Sequence, residues 1–164
     1  MASIGGKAVS HVAELMKSPT GLKGSVRQAA LSAQIQLAEI APEQVQTQNV
    51  AFEVTERTSG TKYPAVHVYC ERVSNEMREK FRTFSGRMRM VVEVRVSQDR
   101  IEGLERQLHG YADAVTRVLD NNRGDWGNGM FYAGGYEIKF GPVKRGGKNH
   151  IQTARVEFDV EGSL

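Results

Sequence analysis

The stretch from Arg87 to Asn122 constrains the fold most strongly, because the spacing of its apolar residues changes halfway along it. In the first half every second residue is apolar, which predicts a strand with one covered and one mostly solvated face. The covered set is Met88, Met90, Val92, Val94 and Val96. In the second half apolar residues recur at intervals of three and four, which predicts one long amphipathic helix. That set is Ile101, Leu104, Leu108, Tyr111, Ala112, Val115, Val118 and Leu119. We expect this helix to lie across the sheet and close the core.

Residues typical of helix caps lie at both ends of this predicted helix. Ser97 or Asp99 precedes the periodic segment and can accept a hydrogen bond from a first-turn amide. Asn121, followed closely by Gly124, is typical of a helix end. We therefore expect the helix to begin close to Ile101 and to end near Asn121.

Two further helices are predicted in an N-terminal helical segment, residues 1–47. Ile4 to Lys17 has a clear apolar stripe, and Ser25 to Glu39 has a less regular one. Residues 48–164 are assigned to an α+β core. A chain of 164 residues is long enough to bury about two-thirds of its unfolded surface, so we expect a single domain.

A hairpin is predicted between these helices and the central strand. Apolar residues alternate over 50–55, turn residues fill 57–62, and alternation resumes over 63–71. In the second of these strands, Val66, Val68 and Cys70 are assigned to the buried face, and His67 and Tyr69 to the solvated face.

Two more strands are predicted after the long helix, over Met130 to Gly141 and Ile151 to Glu161. The glycines of Gly124 to Gly129 are assigned to a turn, because phosphate-binding loops run from a strand into a helix and this segment does the reverse. The order of elements indicates an α+β fold. We expect a mostly antiparallel sheet of about five strands, with the long helix and the N-terminal helices packed largely on one face.

The sequence contains no grouping of residues that is typical of a catalytic or metal site. Its four histidines are scattered over different predicted elements, without Cys or Asp at ligand spacing. Cys70 is better explained as a core thiol than as a nucleophile. We therefore expect no catalytic residue, metal or cofactor, and we do not expect an enzyme.

Net charge and hydropathy argue against two classes of protein, those that coat a polyanion and those that span a membrane. The formal net charge is only +3, whereas a protein that coats a polyanion carries a strong excess or a basic tail. No run approaches the roughly 18 apolar residues of a membrane helix, and we see no signal peptide. The strongest local basic patch is the glycine-rich loop with Lys144, Arg145, Lys148 and Asn149. It could touch phosphates or an acidic partner, or be an ordinary solvated hairpin tip.

Six runs of the sequence are informative together: Tyr63-Pro-Ala-Val-His-Val-Tyr-Cys-Glu71, Glu79-Lys-Phe-Arg82, Ser85-Gly86, Val92-Glu-Val-Arg-Val-Ser-Gln-Asp-Arg100, Gly124-Asp-Trp-Gly127 and Phe140-Gly-Pro-Val-Lys-Arg-Gly-Gly-Lys-Asn149. These runs resemble the neck proteins of tailed bacteriophages, in particular the tail terminator or tail-completion group. The likeness extends over roughly Gln48 to Gly162.

This resemblance implies a structural virion protein, assembled in the host cytoplasm. Such subunits form a ring, commonly a hexamer, that caps the tail tube and joins it to the head connector. DNA passes through the channel of the ring without sequence-specific binding. A head-to-tail connector or adaptor of the neck could carry the same residues and stays an alternative. A small nucleic-acid-binding module is a further one, with Tyr69 and Tyr132 as candidate stacking aromatics.

If the chain forms a ring, each subunit needs two different contact patches. Apolar residues outside the core pattern are candidates for the subunit interface: Phe81, Phe84, Val91 and Phe131. Basic residues of two predicted loops are candidates for contacts between rings: Arg57, Lys62, Arg78, Lys80 and Arg82. The loop of Lys144, Arg145, Lys148 and Asn149 is a candidate for lining the channel or touching a neighbour.

Overall fold

A computed structural model describes residues 3–51, 53–54 and 60–164. The helices are α1 (Ile4–Lys17), α2 (Leu22–Ala33) and α3 (Leu104–Asp120), with a 3₁₀ turn at Pro42–Gln44. The strands are β1 (Val45–Gln46), β2 (Ala65–Asn75), β3 (Ser85–Gln98), β4 (Gly124–Gly127), β5 (Met130–Tyr132), β6 (Glu137–Phe140), β7 (Lys144–Gly146) and β8 (Asn149–Ser163). The α+β class is confirmed, but the sheet is mixed and has more strands than the five expected.

The sheet is organised around the antiparallel pair β3 and β8. These strands pair along the whole of β3, from Ser85 opposite Ser163 to Gln98 opposite His150. β2 pairs with the other side of β3 and carries the short parallel strand β1. The other side of β8 is shared among β7, β6 and β5, and β4 pairs with β5. β3 and β8 therefore form the centre of the molecule.

One face of this sheet is covered by helices. Val92 and Val94 lie opposite Val156 and Ala154 in register, and all four side chains are fully buried. α3 lies against β3 and β8, α1 lies against β2, and α2 packs on α3. Residues of all three helices and of this sheet face belong to one hydrophobic cluster. The predicted packing of the long helix across the central strand is confirmed.

The start of α3 differs from the prediction. β3 continues through Ser97 to Gln98, so Ser97 cannot cap the helix. Gly103 takes the N-cap position with φ of +80°, and no side chain caps the helix there. Ile101, assigned to the buried stripe, is instead 57% exposed. The predicted end is confirmed, because Asn121 is the C-cap.

The predicted second helix is too long. α2 ends at Ala33, where Gln34 adopts a left-handed conformation with φ of +55°. The following residues pack on α3 in a non-helical conformation: the Tyr111 hydroxyl donates to the Ala38 carbonyl at 2.9 Å. Gly110 leaves room for this segment, since a Cβ there would lie 2.9 Å from Leu37 Cδ1. Packing against α3 therefore outweighs the local helical pattern.

The predicted strand over 50–55 is wrong where the structure describes it. Glu53 and Val54 are helical, and the Val54 amide donates to the Ala51 carbonyl at 3.0 Å; Phe52 and Thr55 lie outside the described residues. The strand on this side is β1, which pairs parallel to β2 and buries Val45. The predicted hairpin therefore does not form, and β2 makes its hairpin with β3.

The predicted strand over Met130 to Gly141 is divided into β5 and β6. Gly134 and Gly135 lie between them with φ of +98° and +85°, values that other residues rarely adopt. The segment assigned to a turn at Gly124 to Gly129 contains the short strand β4. Trp126 anchors it, because its indole N–H donates to the Asn122 carbonyl at 2.7 Å.

Val94→Asp is expected to unfold the domain. Val94 is fully buried against the helices, so an unpaired carboxylate there costs at least about 3 kcal/mol. Val143→Asp is the matched control, because Val143 is 38% exposed. Thermal unfolding followed by circular dichroism compares the two. Equal melting temperatures for both variants would contradict the assigned core face.

Candidate functional site

The face of the sheet turned away from the helices is called here the polar face. On β2, β3, β6 and β8 it carries six cations and six carboxylates, assigned by register and side-chain contacts, and Lys144 of β7, opposite Ile151, adds a seventh cation. The first six cations are Arg72, Arg87, Arg89, Arg95, Lys139 and Arg155. The carboxylates are Glu71, Glu93, Glu137, Glu157, Asp159 and Glu161.

Glu157 is the centre of the charge network on this face. It is 3% exposed and is ion-paired with Lys139 at 2.9 Å, Arg155 at 3.2 Å and Arg89 at 3.5 Å. Arg155 also donates to Glu71 at 2.6 Å. Burial of a single carboxylate would be costly, but three cations surround this one. The ion pairs therefore link β2, β3, β8 and β6 across the sheet.

The environment of Glu157 lowers the pKa of its carboxyl group. Burial alone would raise this pKa, because it disfavours the charged form. The hydrogen bond from Lys139 and the charges of Arg155, Lys139 and Arg89 outweigh that effect. The folded protein therefore holds Glu157 ionised below the pH at which an unfolded glutamate protonates.

The polar face is less solvated than the sequence predicts. Glu93 and Arg95 are only 8% and 3% exposed, and they are joined by an ion pair at 2.6 Å. Arg95 also donates to the Val50 carbonyl. His67, assigned to the solvated face, is buried, and its Nδ1 lies 3.1 Å from the Gln48 carbonyl oxygen. Residues 48–50 therefore cover one end of this face, which the alternating pattern could not reveal.

The surroundings of His67 lower the pKa of its imidazole. Burial lowers the pKa of His67, and the positive charge of Arg95 lowers it further. The Gln48 carbonyl and Glu93 act in the opposite direction but are weaker. The folded structure thereby favours the neutral form of the imidazole.

Other aromatic and sulfur groups of the sheet are also partly or fully buried. Tyr69 is 7% exposed and Tyr132 is fully buried, so neither can stack on a base, and the predicted aromatic platform is wrong. Cys70 is partly buried against the core, and burial raises the pKa of its thiol. Its environment is that of a structural thiol.

The basic loop predicted as a channel or neighbour contact is a tight hairpin. Lys144 and Arg145 lie in β7, Asn149 begins β8, and Gly147 and Lys148 form the turn between them. Gly147 has φ of +62°. The structure brings Lys144, Arg145, Lys148 and Asn149 together, all exposed at one tip. Their contact with phosphate or a neighbour stays a prediction.

The residues predicted for contacts between rings are separated. Arg78, Lys80 and Arg82 lie together, exposed on the loop between β2 and β3, whereas Lys62 lies outside that loop before β2. Arg57 lies outside the described residues. Arg78 is ion-paired with Glu76, and Arg82 with Glu79.

The loop between β2 and β3 is held by hydrogen bonds at both ends. The Asn75 side-chain oxygen accepts from the Ser85 amide at 3.1 Å and from the Met77 amide at 3.3 Å. The Leu164 carbonyl accepts from the amides of Thr83 at 2.7 Å and Phe84 at 3.1 Å. The loop is therefore preorganised.

Two apolar side chains project from this loop. Phe81 is fully exposed with φ of +64°, and Met77 is 61% exposed with φ of +49°. Each left-handed non-glycine residue costs about 1–3 kcal/mol, a strain found often at binding sites. Met77 was not among the predicted contact residues, because nothing in the sequence indicates its left-handed backbone.

The other residues predicted for a subunit interface differ in exposure. Phe131 is 45% exposed, as a contact residue should be. Phe84 is half-buried beside Gly162, where an added Cβ would lie 2.9 Å from Phe84 Cε1. Val91 is fully buried in register between Tyr69 and Glu157, so its assignment to an exposed interface is wrong.

Comparison with known proteins assigns no family: no protein-family model matches the chain, and no curated protein matches it significantly. Within residues 3–51, 53–54 and 60–164, no three His, Cys, Asp or Glu side chains converge as a metal-ligand set. None of the helices in the described part of the chain is long and apolar enough to span a membrane.

Glu157→Gln is expected to reduce the dependence of stability on acid pH. A carboxyl group with a lowered folded pKa contributes stability above its unfolded pKa of about 4.3, and this contribution is lost as the pH falls through the folded value. Urea midpoints at pH 7 and pH 3 measure the change. The wild type should lose more stability on acidification than Glu157→Gln, and Glu102→Gln, an exposed control, should follow the wild type. Equal losses for wild type and Glu157→Gln would contradict the network.

Proposed function

We propose that this chain is a tail terminator of a tailed bacteriophage. As such it is a structural virion protein that forms a ring of six copies, caps the tail tube and joins it to the head connector. The resemblance over Gln48 to Gly162 suggests this assignment. The observation that supports it best is that cations of the polar face are ion-paired with carboxylates of the same chain.

A channel for DNA must leave the phosphates free to move. Cations that bind DNA tightly do so by releasing condensed counterions, which requires them to be free to neutralise phosphates. On the polar face Arg89, Arg95, Lys139 and Arg155 already lie within 4.0 Å of carboxylates of the same chain. Such a surface holds phosphates weakly, and we assign it to the wall of the channel.

The positions of the two exposed loops fit two axial neighbours. The loop with Met77 and Phe81 precedes Ser85 at one end of β3, and the hairpin with Lys148 lies beside the pair Gln98 and His150 at the other end. β3 has 14 residues, so these ends are roughly 45 Å apart. One loop can therefore contact the tail tube while the other contacts the connector.

Deletion of this gene from its phage genome tests the proposal. Without a terminator, electron micrographs of the lysate should contain filled heads beside unjoined tail tubes of irregular length. Addition of the purified protein before the tubes overgrow should restore joined particles. Tubes of normal length that fail to join only at the head would favour the adaptor instead. Infectious, joined particles from the deletion phage would contradict both assignments.

The triple variant Lys144→Ala, Arg145→Ala, Lys148→Ala is expected to keep its melting temperature and to restore about tenfold fewer infectious particles in this assay. The three side chains are exposed at a hairpin tip, so their loss removes an intermolecular contact and little packing. A triple variant at Lys7, Lys17 and Lys23, on α1 and α2, is matched in charge and should behave as the wild type. Full restoration by the hairpin variant would remove this tip from the contact surface.

A further inference from the structure

One long strand edge of the sheet is open. β1 pairs only with Val66 and His67, and among the described residues no strand pairs with the same side of β2 from Val68 to Asn75. The outer sides of β4, β6 and β7 also lack a described partner, but these strands have only 4, 4 and 3 residues. Of these edges, only the one on β2 is long enough to pair with a strand of ordinary length, about five residues.

A groove of about 400 Å³ lies beside this edge, between β2 and the start of α1. Gly5 and Gly6 line the groove without contributing a side chain, and Thr47, the residue after β1, lines it as well. A Cβ added at Gly5 would lie 3.2 Å from Val73 Cγ2, so α1 packs closely on the core side of β2. An extended segment in the groove would therefore pair with the backbone of β2 and pack against α1.

The chain itself follows this edge for two residues and then leaves it. β1 runs parallel to β2, so a continuation past Gln46 would follow the open edge. Instead, the Gln48 carbonyl oxygen lies 3.1 Å from His67 Nδ1, and the Val50 carbonyl accepts a hydrogen bond from Arg95. Both contacts hold the segment on the polar face. β1 thus shows that this edge accepts a strand, and the contacts on the polar face explain why the same segment does not fill the rest.

Arg72 gives the edge a chemical preference. The register of β2 against β3 shifts between Cys70 and Arg72, and this bulge places Arg72 opposite Arg89. Arg89 is ion-paired with three carboxylates, and Glu71 is held by Arg155 at 2.6 Å. Within the described part of the chain, no carboxylate forms an ion pair with Arg72, whose side chain is exposed. Since two cations on opposite residues repel each other, a carboxylate from outside would be stabilised beside Arg72.

We propose that the edge of β2 from Val68 to Asn75 binds an extended acidic segment of a partner protein. The segment adds a strand to the sheet and places a carboxylate beside Arg72. A backbone edge pairs with another backbone, so an extended polypeptide fits it and DNA does not. The bulge and the exposed charge disfavour pairing with unrelated strands. This binding surface belongs to each single copy, so the proposal does not depend on the ring.

Two synthetic peptides test the preference for an acidic segment. Both have the sequence Thr-Val-Thr-Val-X-Val-Thr, with Glu at X in one and Lys in the other, so that X lies on the face opposite the valines. The wild type should bind the Glu peptide about fivefold more tightly, because one cross-strand charge pair changes sign. Arg72→Glu should invert this preference, as measured by fluorescence anisotropy of the labelled peptides. Equal affinities of the wild type for both peptides would overturn the proposal.

Two controls distinguish strand addition from a simple attraction between charges. Arg27→Glu reverses an exposed cation on α2 and should keep the wild-type preference, with circular dichroism to confirm that both variants are folded. The Glu peptide with every backbone amide N-methylated keeps its charge but loses its hydrogen-bond donors, so it should bind at least about tenfold more weakly. Unchanged affinity of the N-methylated peptide would show that no strand is added, which would also overturn the proposal.

Hydrogen exchange of the backbone amides locates the bound peptide. An excess of the Glu peptide should slow exchange within Val68 to Asn75 and leave β4, β6 and β7 unchanged. Protection of one of those three strands in place of β2 would contradict the choice of edge. If Arg72→Glu instead abolishes self-association of the chain and leaves the affinity for both peptides unchanged, the edge belongs to a second copy and the acidic partner is wrong.

Discussion

The antiparallel pairing of β3 with β8 is the interaction on which the rest of the structure depends. It joins all 14 residues of β3 to residues near the C-terminal end of the described chain. Every other strand adds to one of these two, either directly or through a neighbour. α3 follows β3 in sequence and lies against both, so one long strand pair sets the position of the helical layer.

This pair also divides the molecule into two chemically different faces. Val92, Val94, Ala154 and Val156 form an apolar layer under the helices, where burial of about 25 cal/mol per Å² stabilises the fold. The alternate residues form the polar face, where Glu157 is surrounded by cations from three strands. Buried charges of this kind add little net stability, and here they join β8 to β3 and β6 across the sheet.

The sequence predicted the elements whose periodicity is long and regular. β3, α3 and the core of β8 follow from spacing alone, as does the helix-covered face. α2 was predicted too long because Ile35 and Leu37 fit a helical stripe, although both lie against Gly110 of α3 as part of a non-helical segment. β1 was missed because two residues carry no period.

Burial of residues on the polar face was harder to predict from the sequence. Alternation assigns a residue to a face but does not say what covers that face, so His67 and Val91 were assigned to solvent and are buried. For the candidate contacts, the sequence located the exposed hairpin of Lys144 to Asn149 and the exposed Phe81. It could not indicate which strands lie at the edges of the sheet, because that depends on the order of strands.

The central claim is that copies of this chain assemble into a closed ring. The most direct measurement is the native mass of the purified protein by light scattering, with negative-stain images of the same fraction, alone and after addition of tail tubes. The account predicts a mass near six times the 18.2 kDa of one chain, with closed rings in the images or at tube ends. A particle of 18.2 kDa under both conditions would contradict it.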